Sequence, residues 1–130
     1  MNQENGNRNL LIVDDEEIMR NFLGEVFSEE GYQLDFACDG DEAIEKIRKI
    51  NYKVIITDIR MPKVEGTEVL RVAKEVLPQA EVIIISGYAS DGVARECEKL
   101  GAFAYLTKPF QMTHIRDLVN KIVTGQVGLK

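Results

Sequence analysis

Three carboxylates, one hydroxyl and one ammonium stand at the ends of short apolar runs in this chain, and together they are suited to handling a phosphoryl group. Leu10-Leu11-Ile12-Val13 leads into Asp14 and Asp15, and Val54-Ile55-Ile56-Thr57 leads into Asp58. Val82-Ile83-Ile84-Ile85 leads into Ser86, and Ala104-Tyr105-Leu106-Thr107 into Lys108. Two carboxylates about 4 Å apart repel by roughly 4 kcal/mol at an effective dielectric near 20, so three in one crevice would partly protonate or splay apart unless a cation joined them. Oxygen-only donors, with no cysteine or suitably placed histidine, favour a hard ion, Mg²⁺ or Mn²⁺, and few carboxylates plus waters are typical of Mg²⁺. A crevice with such an ion, an ammonium and a hydroxyl suits a tetrahedral anion, because Mg²⁺ and Lys stabilise the charge spread over phosphoryl oxygens during transfer. A carboxylate can itself be the acceptor, as an aspartyl-phosphate. Asp58 is the candidate, since it stands alone after its run, between the acid pair and the Ser86 and Lys108 strands.

These residues meet only if the chain gathers them. Runs rich in Val and Ile without alternation read as strands buried on both faces, the mark of a parallel sheet. The carboxyl ends of such strands share one edge, where ligands bind. A further strand is expected at Gln33–Cys38, with Leu34 and Phe36 alternating. Helical patterns fill the intervals. Glu16–Glu30 carries Ile18, Phe22, Val26 and Phe27 on one face and ends near Gly31, and Asp41–Ile50 spaces Ile44, Ile47 and Ile50, with Asp39 or Asp41 as cap. Glu65–Leu77 is stopped by Pro78, Ser90–Leu100 is closed by Gly101, and Met112–Val123 turns Ile115, Leu118, Val119 and Ile122 inward. Strand–helix alternation five times over predicts βαβ units with right-handed crossovers.

The bulk numbers exclude several classes. A length of 130 residues suits one domain, and 45% apolar residues is ordinary for a globular protein. No apolar stretch approaches the roughly 20 residues of a membrane span, and the polar stretch from Met1 to Asn9 lacks a signal-peptide core, so the expected location is cytoplasmic. A net charge of −6 argues against direct nucleic-acid binding, which draws on basic surface. Cys38 and Cys97 form neither a disulfide framework nor a metal spacing and read as small core or boundary residues. The lone histidine, His114, reads as a helix-start residue without catalytic role.

Four segments together carry a family resemblance: Val13-Asp14-Asp15-Glu16; Asp58-Ile59-Arg60-Met61-Pro62 followed by Gly66; Ile85-Ser86-Gly87-Tyr88; and Tyr105-Leu106-Thr107-Lys108-Pro109-Phe110. Over residues 8–123 the chain resembles a receiver domain of two-component response regulators, leaving 1–7 and 124–130 as flexible tails. The resemblance implies an α/β, doubly wound (βα)₅ flavodoxin-like fold with a parallel five-stranded sheet in the order 2-1-3-4-5. It implies that Asp58 accepts a phosphoryl group from a phosphohistidine on a sensor histidine kinase. It implies Mg²⁺ bound by Asp15, Asp58 and the backbone carbonyl of Arg60, with Asp14 acting through water. Lys108 and Ser86 would contact the phosphoryl oxygens, Tyr105 would be the switch aromatic, and the Lys108–Pro109 bond would be cis. The face of the fourth helix, fifth strand and fifth helix would then change shape and recruit a partner or a second copy. The chain would be a signalling switch rather than an enzyme with a separate substrate.

Asp58-Ile59-Arg60-Met61-Pro62 and Ser86-Gly87-Tyr88-Ala89-Ser90 look most like the nitrogen-regulator class, which implies an output module and transcription regulation; neither an ATPase nor a DNA-binding module lies within these residues. Rival readings fit less well. A haloacid-dehalogenase-type phosphatase needs an Asp-x-Asp pair, whereas Asp14-Asp15 is adjacent. A flavodoxin-like redox module needs a Ser/Thr/Gly-rich phosphate loop where Asp14-Asp15-Glu16-Glu17 stands, and no P-loop is present.

Overall fold

The apolar runs become the strands of one sheet. In a computed structural model, which describes residues 7–61, 63–87 and 90–125, the order is β1 (Asn9–Val13), α1 (Glu17–Ser28), β2 (Gln33–Ala37), α2 (Gly40–Lys49), β3 (Val54–Asp58), α3 (Gly66–Val76), β4 (Glu81–Ser86), α4 (Asp91–Lys99), β5 (Ala104–Thr107) and α5 (Met112–Thr124). All pairings are parallel and the sheet order is β2-β1-β3-β4-β5, as expected for the doubly wound fold. Successive strand residues point to opposite faces. Leu11, Val13, Ile55, Val82 and Ile84 pack with Ala43, Ile47, Val69, Leu70, Ala73 and Cys97 of α2, α3 and α4. Leu10, Ile12, Val54, Ile56, Ile83 and Ile85 pack with Leu23, Phe27, Ile115, Val119 and Ile122 of α1 and α5. The inner strands β1, β3 and β4 are thus buried on both faces, which is why their apolar runs do not alternate, while β2 and β5 at the sheet edges are partly exposed.

Caps fix where the helices begin and end. Asp39 caps α2, accepting from the Glu42 N–H at 2.8 Å, and Ser90 caps α4, accepting from the Val93 N–H at 3.3 Å. Gly31, Gly101 and Gly125 have φ of 85°, 99° and 77° just after α1, α4 and α5, the left-handed conformation that glycine reaches without a Cβ clash.

Four expectations need correction. Ile18 and Phe22 do not join the buried face of α1; they are 84% and 42% exposed, and the helix packs instead through Met19, Leu23, Val26 and Phe27. Cys38 lies beyond β2 and is exposed, because its N–H is already turned to the Glu42 carboxylate at 2.9 Å as the chain enters α2, while Cys97 is buried as expected. Ile50 caps α2 at 36% exposure instead of packing inward. Thr124, assigned to a tail, is still helical, its hydroxyl donating to the Asn120 carbonyl at 2.8 Å. The rest of the expected tails, apart from Asn7 and Gly125, lies outside the described residues, as do Pro62, Tyr88 and Ala89 of the quoted motifs. His114 sits exposed in the first turn of α5.

Candidate phosphoryl and metal site at the sheet edge

The strand order brings the ends of β1, β3, β4 and β5 side by side, and with them Asp14, Asp15, Asp58, Ser86 and Lys108. Asp14 is fully buried and tightly tied: its N–H donates to the Ala37 carbonyl at 3.1 Å, and its Oδ1 accepts from the Glu16 N–H at 2.9 Å. Among the described residues its Oδ2 is buried without a hydrogen-bond partner, 3.5 Å from Lys108 Nζ. Burial, reinforced by Asp58 and Asp15, raises its pKa above the usual carboxylate value even though the Glu16 N–H and Lys108 pull the other way. Asp15, next along, is exposed.

Asp58 is 6% exposed at the end of β3. Its Oδ1 accepts from the N–H of Ile59 at 2.7 Å and of Arg60 at 3.3 Å, so the loop pins one oxygen. Its Oδ2 accepts from Lys108 Nζ at 3.2 Å. Gly66 lets that loop fold back: its N–H donates to the Ile59 carbonyl at 2.9 Å, and a Cβ there would collide with the Asp58 carbonyl oxygen. Lys63, in the same loop, has φ of 68°, a left-handed turn taken by a non-glycine residue.

Lys108 follows β5, and its N–H donates to the Ser86 carbonyl at 2.7 Å, which ties the last two strand ends together. The Lys108–Pro109 peptide is cis, as expected. Its ammonium faces Asp58, Asp14 and, at 3.9 Å, Glu16. Burial alone would lower its pKa, but Asp14 and Asp58 outweigh burial and the net direction is upward, so Lys108 stays charged. Ser86 is fully buried at the end of β4, in register with Thr107. Tyr105 is half-buried on β5 and borders a groove of about 360 Å³ with Asp91, Ala94, Arg95 and Glu98 of α4.

The geometry fits a hard divalent cation. Asp14, Asp15 and Asp58 each offer a carboxylate oxygen, all within 4.8 Å of one another, and the partnerless Asp14 Oδ2 gives a buried reason for positive charge there. The structure therefore brings together Asp14, Asp15, Asp58 and Lys108, with Ser86 at the neighbouring strand end. The sequence reading missed the backbone donors of Ile59 and Arg60, which no residue type announces. Glu16 and Gly66 stand within the motifs, but their residue types alone give neither a part in the site. The sequence reading also missed Arg20, which in sequence is one more arginine on a helix surface and in the structure donates to the Asp14 carbonyl at 2.7 Å.

The family profile described as "Response regulator receiver domain" matches residues 10–120. The chain belongs to this family. Sporulation initiation phosphotransferase F of Bacillus subtilis (strain 168) is 36% identical over 115 residues, covering 88% of this chain and 93% of that protein. The CheY-like response regulator receiver domain protein from Methanospirillum hungatei JF-1 has a similar structure, with a TM-score of 0.89 at 28% identity, covering 93% of this chain and 97% of that one. The beryllofluoride-activated NtrC4 receiver domain dimer gives a TM-score of 0.85 at 33% identity, covering 91% of this chain and 98% of that one. As a receiver domain the chain is a phosphorylation-dependent signalling switch, and receiver domains bind Mg²⁺. The similar proteins span sporulation and NtrC4-type regulators, so the family is shown without singling out a nitrogen-regulator class. No helix among the described residues is long and apolar enough to cross a membrane.

Proposed function

We propose that Asp58 is the phosphorylated residue and that residues 8–123 form the receiver unit. The observation that carries this is the asymmetry of its carboxylate: backbone N–H groups hold Oδ1, while Oδ2 faces Lys108 at 3.2 Å in a crevice shared with Asp14 and Asp15. Oδ2 attacks the phosphorus of a phosphohistidine on a sensor histidine kinase. An O–P bond forms, the P–N bond breaks, and the imidazole leaves and takes a proton from solvent. Lys108 then contacts the phosphoryl oxygens and Ser86 donates its hydroxyl to them. Asp15, Asp58 and the Arg60 carbonyl would hold Mg²⁺, with Asp14 acting through water, and the ion would supply charge neutralisation at the phosphoryl oxygens. An apolar groove beside Lys108, lined by Ile18, Met19, Phe22, Pro109 and Phe110, offers the phosphohistidine carrier a surface next to the acceptor.

In this reading the new charge draws Ser86 toward Asp58, and Tyr105 rotates into the space beside β5, reshaping the α4–β5 groove. That face recruits a second copy or an output module, in a cytoplasmic regulator of the nitrogen-regulator class that acts in transcription regulation and has no separate substrate. The wording of the Asp58 and Ser86 motifs supports the class, as does the likeness to NtrC4.

Incubation with acetyl phosphate and Mg²⁺, read by intact mass, should add one base-labile phosphoryl group to the wild type and none to Asp58→Asn. The same label at the same mapped position in Asp58→Asn would overturn the assignment. With beryllofluoride as mimic, NMR signals of Ser86 and Tyr105 should shift together, and a response limited to Asp58 and its neighbours would remove the switch.

A further inference from the structure

We infer that Arg20 is a positioning residue for the acid pair, its guanidinium fixing the Asp14–Asp15 peptide and so the direction in which Asp15 presents its carboxylate to a divalent cation. This rests on the Mg²⁺ reading above and assigns a part in it to a residue outside the metal's own ligands. Arg20 lies in the first turns of α1, where its own N–H donates to the Glu16 carbonyl at 3.1 Å. Its side chain folds back along the helix and Nη1 donates to the Asp14 carbonyl at 2.7 Å, a charge-assisted contact that is part-buried.

The rest of Asp14 is held by other groups: its N–H by Ala37 and its Oδ1 by Glu16. The carbonyl oxygen is the remaining backbone handle on this residue, and it belongs to the peptide that leads into Asp15. A peptide is planar, so fixing the Asp14 oxygen also fixes the N–H and Cα of Asp15. Asp15 is exposed, and its aim is set by the backbone that bears it. Groups that orient metal ligands typically cost about 10–100-fold in metal affinity when removed. Arg20 acts on the backbone rather than on a carboxylate, so the lower end of that range applies.

Charge alone predicts the opposite sign. Removing a cation near three carboxylates lowers the repulsion felt by an incoming Mg²⁺ and should tighten binding. Arg20 contacts the Asp14 backbone carbonyl and not its carboxylate. Arg20 is therefore placed to steer the backbone rather than to tune the field.

The test is titration calorimetry with Mg²⁺ alone on wild type, Arg20→Ala, Arg20→Gln and Arg20→Lys. Arg71→Ala, which removes exposed ion pairs to Glu68 and Glu75 on α3, is the control for loss of a surface arginine. Arg20→Ala and Arg20→Gln should weaken the Mg²⁺ Kd about tenfold. Arg20→Lys should recover part of the loss, and Arg71→Ala should match wild type. Phosphorylation by acetyl phosphate should show the same tenfold rise in half-saturating Mg²⁺, with the rate at saturating Mg²⁺ within about twofold of wild type. An unchanged or tighter Kd in Arg20→Ala, with or without a lower melting temperature, overturns the inference. Should Arg20→Ala fail to fold, Arg20→Gln and Arg20→Lys decide by the same criterion. A wild type that binds no Mg²⁺ overturns the metal reading itself, and a wild type that binds while every Arg20 variant binds equally overturns only Arg20.

Discussion

Replacing Lys108 with methionine should reveal how the crevice balances its charge. Lys108 Nζ lies 3.2 Å from Asp58 Oδ2 and 3.5 Å from Asp14 Oδ2. At an effective dielectric near 20, each attraction is about 5 kcal/mol before the cost of burying the charges. Breaking a buried pair by removing one partner typically costs about 3–5 kcal/mol. The loss here should be smaller, because Asp14 already has a raised pKa and can take up a proton once its cation is gone. An expected loss of about 2 kcal/mol at about 3–5 °C per kcal/mol lowers the melting temperature by about 6–10 °C in EDTA. Mg²⁺ should narrow that gap. Lysine and the metal draw on the same carboxylates, Asp14 and Asp58, so the variant should bind Mg²⁺ more tightly. At a concentration ten times the wild-type Kd, Mg²⁺ adds about 1.4 kcal/mol to the wild type; a tenfold tighter variant gains about 2.7 kcal/mol. The difference should fall from about 2 to about 0.7 kcal/mol. Thermal melts by circular dichroism, in EDTA and across a Mg²⁺ series, provide the measurement. A gap that stays constant or widens with Mg²⁺ would refute the shared crevice, as would a variant more stable than wild type in EDTA.

Two further outcomes follow from contacts near the site. Gly66→Ala forces a Cβ against the Asp58 carbonyl oxygen and the Ile59 backbone, and should cost about 3 kcal/mol or more by urea unfolding; a loss under about 1 kcal/mol would mean the β3–α3 loop gives way freely. The Glu42 carboxylate has its pKa held below the ordinary 4.5 chiefly by the Cys38 N–H, so its stabilisation is present above that value and lost as pH falls through the lowered native one. Glu42→Gln should therefore be less stable than wild type near pH 7, with a deficit that shrinks towards about pH 3, and an equal deficit at both values would contradict this.

The side chains of the site were legible because the apolar runs carry two kinds of information at once. Their composition marks buried parallel strands, and their last residue marks the sheet edge, so Asp14, Asp58, Ser86 and Lys108 could be placed together from sequence. The face of α1 was not legible in the same way. Apolar residues stand at 18, 19, 22, 23, 26 and 27, which makes two stripes one residue apart, each with helical spacing. The sheet covers the stripe of Met19, Leu23 and Phe27 in full, and of the other only Val26. Ile18 and Phe22 turn to the flank beside Lys108, Pro109 and Phe110. Periodicity reports that a face is apolar; which of two adjacent stripes is covered depends on where the helix axis crosses the sheet. Arg20 escaped for a related reason, since its part depends on how its long side chain folds back along the helix.

The three acids are restrained to different degrees, and that bears on how the site works. Asp14 is immobilised by the strand and loop but keeps one buried oxygen without a hydrogen-bond partner, a state that costs stability. Asp58 is pinned by backbone N–H groups through one oxygen while Lys108 holds the other, and Asp15 stands in solvent. Lys108 faces Asp14, Asp58 and Glu16 at once, so its ammonium can shift among acceptors without leaving the crevice. The rigid half of the site rests on the close-packed Val and Ile strands, which makes the unsatisfied charge at their ends tolerable. A group that brings or removes charge at Asp58 thus acts directly on Lys108, whose backbone is tied to the end of β4 through the Ser86 carbonyl. That contact, the Lys108 N–H on the Ser86 carbonyl at 2.7 Å, links the acceptor's neighbouring lysine to the ends of both β4 and β5.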